Sequence, residues 1–285
     1  MELCLFSDAS SSFSNAIPNL IAASKDIYDA VSNTSRTQQA RVGVAAFVDY
    51  PVGGHGDTGD YPYKLYSSMN ETFQAWDDGV RSIAVLGGSG WEESQYDAIV
   101  GAAIGLNNSF VQEPDCGWSD DSNFERILLV STDAGFHLPG AEKPHQYDKT
   151  STLEILYQER IRVVGLEAEA GLSELDYLAN ATGGVVESLK RDGSDIANSI
   201  LAGLDHLPCR VFAEAIGCDP VTVIFDPPSQ VVQPGGSLTV RATFSTDDDS
   251  LASTIIVCQV LFTANREVME SVRVKVIIAG EPDIG

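Results

Sequence analysis

The chain has 285 residues, with 41 Asp and Glu against 17 Lys and Arg and a net charge of -24. That length suits one large domain, or a medium domain with a small one, and can bury roughly three quarters of its unfolded surface. The charge excludes nucleic acid and anionic membrane surfaces as partners, because phosphate is repelled, and no apolar run approaches the roughly 18 residues of a membrane span.

Glu2-Leu3-Cys4-Leu5-Phe6-Ser7 reads as an apolar strand feeding Asp8, with Ser10 and Ser12 at alternate positions in the turn that follows. Met1 directly before it reads as an expression start on an excised fragment, with no signal peptide. Residues 13–31 carry Ile17, Leu20, Ile21, Ile27 and Val31 at helical spacing, and Pro18 restricts where that helix starts. Arg41 to Asp49 is near-continuously apolar, as a parallel strand covered on both faces must be. Residues 50–69, rich in Gly, Tyr and Pro, read as a loop, followed by a helix over 71–83. Gly87-Gly88-Ser89-Gly90-Trp91-Glu92-Glu93 is a flexible loop delivering Glu93 to a helix over 94–106, where Ala98, Gly101, Ala102 and Gly105 permit close packing on a sheet. After a polar excursion at 107–125, Arg126 to Thr132 is a strand ending in Asp133. Helix 151–159, strand 161–166, helix 171–181, strand 184–188 and helix 194–207 complete an alternation that predicts a doubly wound, mostly parallel α/β sheet of the Rossmann-like type over 1–207.

The pattern then changes. Residues 208–218 read as a linker, and 219–285 as a second, smaller all-β sandwich with strands at 221–225, 237–244, 254–262 and 268–278. Turn chemistry separates them at Asp226-Pro227-Pro228, Gln233-Pro234-Gly235-Gly236, 247–250 and 265–266. Fewer than roughly 70 residues are marginal for an independent core, which implies docking or a missing stretch. Cys209 and Cys218 are placed to form a disulfide, Cys4 and Cys258 read as core residues, and Cys116 in its loop has no legible partner. Asn33, Asn70, Asn107 and Asn180 lie in Asn-x-Ser/Thr sequons, acceptors only in a glycosylating secretory route.

Asp8, Ser10 and Ser12 present oxygen ligands to one point at a helix start, which suits a hard cation such as Mg2+ and leaves positions for water and further carboxylates. The same residues also serve as ordinary helix caps. Asp133 belongs with them, since parallel sheets bind ligands at the carboxyl ends of their strands. In combination, Asp8-x-Ser10-x-Ser12, Phe47-Val48-Asp49, Glu93-x-x-Tyr96-Asp97-Ala98-Ile99 and Leu129-Val130-Ser131-Thr132-Asp133-Ala134 resemble the von Willebrand factor A fold, specifically the I-like domain of integrin beta subunits. Glu93, where ordinary A domains place a threonine, points to the integrin branch.

The resemblance implies a metal ion-dependent adhesion site: Ser10, Ser12 and Glu93 touch Mg2+ (Mn2+ or Ca2+ in its place), and Asp8 and Asp133 act through water or hydrogen bonds. The metal takes an acidic side chain of a protein ligand. It implies a weaker second calcium site at Asp49 and Glu93, whose other positions fall on Gly88 and Gly90. It also implies a doubtful third beside the first helix, where Asn15 and Ala16 replace an acidic pair. An alpha-subunit propeller is an open partner, because the loop at 50–69 lacks the staple of the family's partner-choosing loop. Residues 219–285 resemble part of the hybrid domain, and the setting is extracellular or cell-surface.

Two other readings stand beside this one. A scaffold with a vestigial metal site needs only the capping roles. A metal-dependent hydrolase needs His137 or His145 as a base, and both read as surface residues. Ser89 is not in a nucleophile elbow, since Trp91 replaces the second glycine, and no phosphate-binding loop occurs, so the expectation is a protein that is not an enzyme.

Overall fold

A computed structural model describes residues 1–33, 40–52, 54–88, 91–121, 124–137, 144–169, 171–233, 235–246, 254–264 and 267–278. The chain divides into two compact units, Met1–Leu207 and Pro208–Gly285. Ser89 and Gly90 of the glycine loop, Pro234, and the turns expected at 247–250 and 265–266 lie outside the described residues.

The first unit runs β1 (Glu2–Asp8), α1 (Ala16–Asn33), β2 (Arg41–Phe47), β3 (Lys64–Asn70), α2 (Phe73–Arg81), β4 (Glu92–Glu93), α3 (Gln95–Ile104), β5 (Leu106–Asn107), β6 (Gln112–Glu113), β7 (Arg126–Thr132), β8 (Gly135–Phe136), α4 (Lys149–Gln158), β9 (Ile161–Glu167), α5 (Ser173–Thr182), β10 (Val185–Ser188) and α6 (Ile196–Asp205). Its main sheet has the order β10-β9-β7-β1-β2-β3, parallel throughout except for β3.

Alternation along these strands feeds two separate cores. Leu3, Leu5, Val42, Val44, Ile127 and Leu129 pack on one face with Ile17, Leu20 and Ile27 of α1, Trp76 of α2 and Ile200 of α6. Cys4, Phe6, Ala45, Phe47, Leu128 and Val130 pack on the other with Ile99 of α3, Leu156 of α4 and Leu175 of α5. Burial on both faces is why β1 and β2 carry unbroken runs of nonpolar residues, Leu3–Phe6 and Val42–Phe47. On α3, a Cβ at Gly101 would meet the Tyr63 ring at 2.6 Å, so the small residue there permits the close approach.

β3 corrects the reading of 50–69 as loop throughout. It is an edge strand, largely half-exposed, with register shifts against β2, and so lacks an apolar run in sequence. The cysteine pairing is also corrected: Cys4 bonds Cys116, tying the middle of β1 to the loop after β6. Cys218 bonds Cys258, and Cys209 is the free cysteine.

The second unit contains β11 (Cys209–Ile216), β12 (Thr222–Asp226), β13 (Ser229–Val232), β14 (Arg241–Ser245), β15 (Ile255–Ala264) and β16 (Glu267–Ile277). An antiparallel sheet ordered β13-β11-β15-β16 accompanies a β12-β14 pair. Residues 209–216, expected within a linker, are thus a strand inside the larger sheet. The alternation Val211, Ala213, Ala215 carries it, with Phe212, Glu214 and Ile216 exposed between them, and the charges at Arg210 and Glu214 break up any continuous apolar run. Few side chains here are buried, among them Val211, Val260 and Ala264, while Ile224, Ile255, Val257, Val268 and Met269 are exposed. Among the described residues no helix is long and apolar enough to cross a membrane.

Candidate metal centre

β1 is the point where the strand order reverses, with β2 on one side and β7 on the other, and the carboxyl ends of such strands frame a crevice. Asp8 ends β1 there, and Asp133 follows β7. The turn after β1 brings the Ser10 and Ser12 hydroxyls to 3.0 Å from each other. Asp8 is wholly buried and acts as an organiser: Oδ1 accepts from the Ser10 N–H at 2.8 Å, and Oδ2 accepts from the Thr132 hydroxyl at 2.7 Å. Asp133 Oδ1 accepts from the Ser12 hydroxyl at 3.0 Å. Thr132 is legible in sequence only as a strand residue, because nothing in its local pattern signals that its hydroxyl faces Asp8 on the neighbouring strand.

Glu93 enters from β4, which is held parallel to β8, and the residue is 2 % exposed. A Cβ on Gly88 would lie 2.8 Å from Glu93 Oε1 and 3.3 Å from the Ser10 Cβ, so the glycine loop, the serine turn and Glu93 meet at one place. Among the described residues, Glu93 Oε2 is buried without a hydrogen-bond partner. Burial pushes the Glu93 carboxyl up to about 10, reinforced by the charges of Asp8, Asp49, Asp60 and Asp133. Burial also raises Asp8 to about 6, against its bonds to Ser10 and Thr132, and raises Asp133. Asp60, a buried loop residue not anticipated at the site, accepts from the Gly88 N–H at 3.1 Å.

A buried, unpartnered carboxylate oxygen beside two hydroxyls and further carboxylates is a donor set of hard oxygens, which fits Mg2+ or a similar divalent cation. The pH dependence follows from the raised carboxyls. A carboxyl raised on folding stabilises the fold fully below its unfolded value, and that contribution is lost as pH climbs through the folded value. The metal-free protein should therefore lose thermal stability from about pH 5 to about pH 8, and Mg2+ should restore more at the upper end, as thermal melts in EDTA and in Mg2+ would read. A flat or rising metal-free profile contradicts this.

Gly88 has φ +79°, a conformation that costs a residue with Cβ about 1 to 2 kcal/mol, and its Cβ would crowd Glu93. Gly88→Ala should keep the fold and lower Mg2+ affinity by about tenfold or more in calorimetric titration; unchanged affinity would remove this loop from the site.

Elsewhere at this edge the expectations change. Asp49 accepts from the Tyr50 N–H at 2.7 Å and from the Ser94 hydroxyl, and lies 2.8 Å from His137 Nε2. Asp49 also lies near enough to Glu93, its partner in the weaker second site, for its charge to help raise the Glu93 carboxyl. Gly88 contributes no ligand side chain to that site, and Asn15 is exposed. His137 and His145, expected at the surface, turn inward: their side chains are 15 % and 4 % exposed and gather with His55 around Asp49. His55 comes from the β2–β3 connection and the other two from the β8–α4 connection, so sequence spacing gave no sign of it.

No protein-family model and no curated protein matches the chain. Among solved structures, it is similar to a von Willebrand factor type A protein from Catenulispora acidiphila, with TM-score 0.51 and 11% identity over 98% of this chain and 67% of that one. It also matches proximal thread matrix protein 1 from the mussel byssus in two crystal forms. Both are 15% identical, with TM-scores of 0.48 and 0.47, over 71% and 70% of this chain and under half of the other, 45% and 44%. At 11% identity the likeness is one of fold, and the chain accordingly has a mixed α/β, von Willebrand factor type A-like fold with a mostly parallel central sheet.

Proposed function

We propose that Met1–Leu207 is a non-enzymatic, metal-dependent adhesion module of the integrin beta I-like kind, with Ser10, Ser12 and Glu93 as direct ligands of Mg2+. The observation that carries this reading is the buried Glu93 Oε2, unpartnered among the described residues, beside the serine turn and among other carboxylates. A bound cation supplies the positive charge that recruits an acidic side chain of a protein partner. The chain's own residues prepare that event. Asp8 fixes the serine turn through the Ser10 N–H and holds Thr132, while Asp133 orients the Ser12 hydroxyl. Trp91, 62 % exposed two residues before Glu93, offers an aromatic contact at the rim.

On this reading Pro208–Gly285 is a hybrid-like sandwich, and the protein works outside the cell, where two disulfides persist. The test is an array of peptides presenting Asp or Glu, each paired with its Asn or Gln counterpart, probed with the full chain in Mg2+ and in EDTA. Binding should require both the acid and Mg2+, and vanish for Glu93→Gln. Binding that ignores either one would overturn the reading.

A further inference from the structure

We propose that Asp49, His55, His137 and His145 form a second metal centre, chemically distinct from the first, for a first-row ion that prefers imidazole, with Zn2+ as its type. It does not depend on the adhesion reading, since none of the four side chains belongs to the Asp8 centre.

The geometry is that of donors gathered around a point. His145 Nε2 lies 3.3 Å from His55 Nδ1, which lies 3.5 Å from His137 Nε2, which in turn lies 2.8 Å from Asp49 Oδ2. Each ring nitrogen has one in-plane position for a proton or a lone pair, yet His137 Nε2 and His55 Nδ1 each face two partners. A tetrahedral ion with bonds of about 2.0 to 2.1 Å separates its ligand atoms by about 3.3 Å, the spacing seen between the imidazoles. All four donor atoms lie within 4.8 Å of one another, so small side-chain movements close the set. Three imidazoles and one carboxylate suit Zn2+ and its neighbours, whereas Mg2+ and Ca2+ prefer oxygen alone.

A supporting shell is already in place. His145 directs Nδ1 toward Asp97 Oδ2 at 3.5 Å, while Nε2 faces the cluster, the carboxylate–histidine arrangement that fixes ring orientation at metal sites. Asp97 is itself buried and accepts from the Tyr50 hydroxyl at 3.0 Å and the Gln146 N–H at 3.0 Å. Ser94 and the Tyr50 N–H hold Asp49 in the same way. Four positions filled by protein make this a closed, structural kind of site. It would pin the loop at 50–60 and the segments at 137 and 144–147 beside β4, where the His137 N–H donates to the Glu93 carbonyl at 3.0 Å.

The test is calorimetric titration of the metal-stripped full chain with Zn2+, together with the visible spectrum of the Co2+ form. Wild type should take up Zn2+ at this centre and give the intense bands of tetrahedral Co2+. His55→Ala and His137→Ala, both at partly exposed positions and checked by circular dichroism, should lower this affinity by more than about 100-fold, whereas Glu93→Gln should retain it. No uptake at about 100 µM Zn2+, uptake unchanged in both folded histidine variants, or an octahedral Co2+ spectrum in Glu93→Gln would each overturn the proposal. Should a histidine variant fail to fold, the Co2+ spectrum of Glu93→Gln decides alone.

Discussion

Glu93→Gln should lower Mg2+ affinity by at least about 100-fold while making the metal-free protein more stable at pH 8. Both effects have one cause. The side chain is buried among Asp8, Asp49, Asp60 and Asp133, its Oε2 lacks a partner among the described residues, and its carboxyl is held at about 10. Without a cation the charge is unfavourable, and an amide of the same shape removes it while offering N–H donors to the neighbouring carboxylates. With a cation the same charge becomes a ligand, and losing it should cost more than the 10- to 100-fold typical of outer-sphere partners. Such opposition between stability and function is expected where a site holds like charges together. Calorimetry and thermal melts on the pair of proteins measure both; a Gln variant that melts lower without metal and binds Mg2+ as wild type would contradict the account.

The Cys4–Cys116 bond carries the other large effect. It closes a loop across a sequence separation of 112, and both cysteines are fully buried, so it restrains the unfolded chain and joins β1 to the cover of the sheet. Cys4→Ala with Cys116→Ala should lower stability by about 2 to 5 kcal/mol, on the order of 10 °C in melting temperature for a chain of this size. Mg2+ affinity should change little in the folded fraction, because Cys4 packs in the apolar core on the sheet face opposite α1. A non-reducing peptide map showing free Cys4, or a loss below about 1 kcal/mol, would rule the bond out as a stabiliser.

What the sequence discloses and what it hides divide along physical lines. Asp8, Ser10 and Ser12 lie within five consecutive residues at a strand-turn-helix junction, so local chemistry exposes them. Asp133 and Glu93 are legible because strand ends and glycine loops lead to the same sheet edge. The structure brings these five side chains, from three stretches, to one crevice. The buried strands announce themselves by continuous apolar runs, whereas β3 and β11, half-exposed or interrupted by charge, do not. The histidines were misread for another reason. A loop histidine is usually exposed, and only the folded paths of the 50–60, 137 and 144–147 segments turn three of them onto Asp49. Disulfide pairing failed likewise: the proximity of Cys209 and Cys218 in sequence carries no weight against the register that sets Cys218 beside Cys258.

The central claim is that the serine turn, Glu93 and Asp133 hold a divalent cation. Calorimetric titration of the metal-stripped full chain with Mg2+, Mn2+ and Ca2+, beside Ser12→Ala and Asp133→Ala, tests it most directly. The account predicts divalent-cation binding in wild type that is lost in both variants while circular dichroism stays native. No binding at millimolar Mg2+ in wild type, or binding retained by both variants, would reduce Asp8, Ser10 and Ser12 to caps of a helix start and the protein to a scaffold.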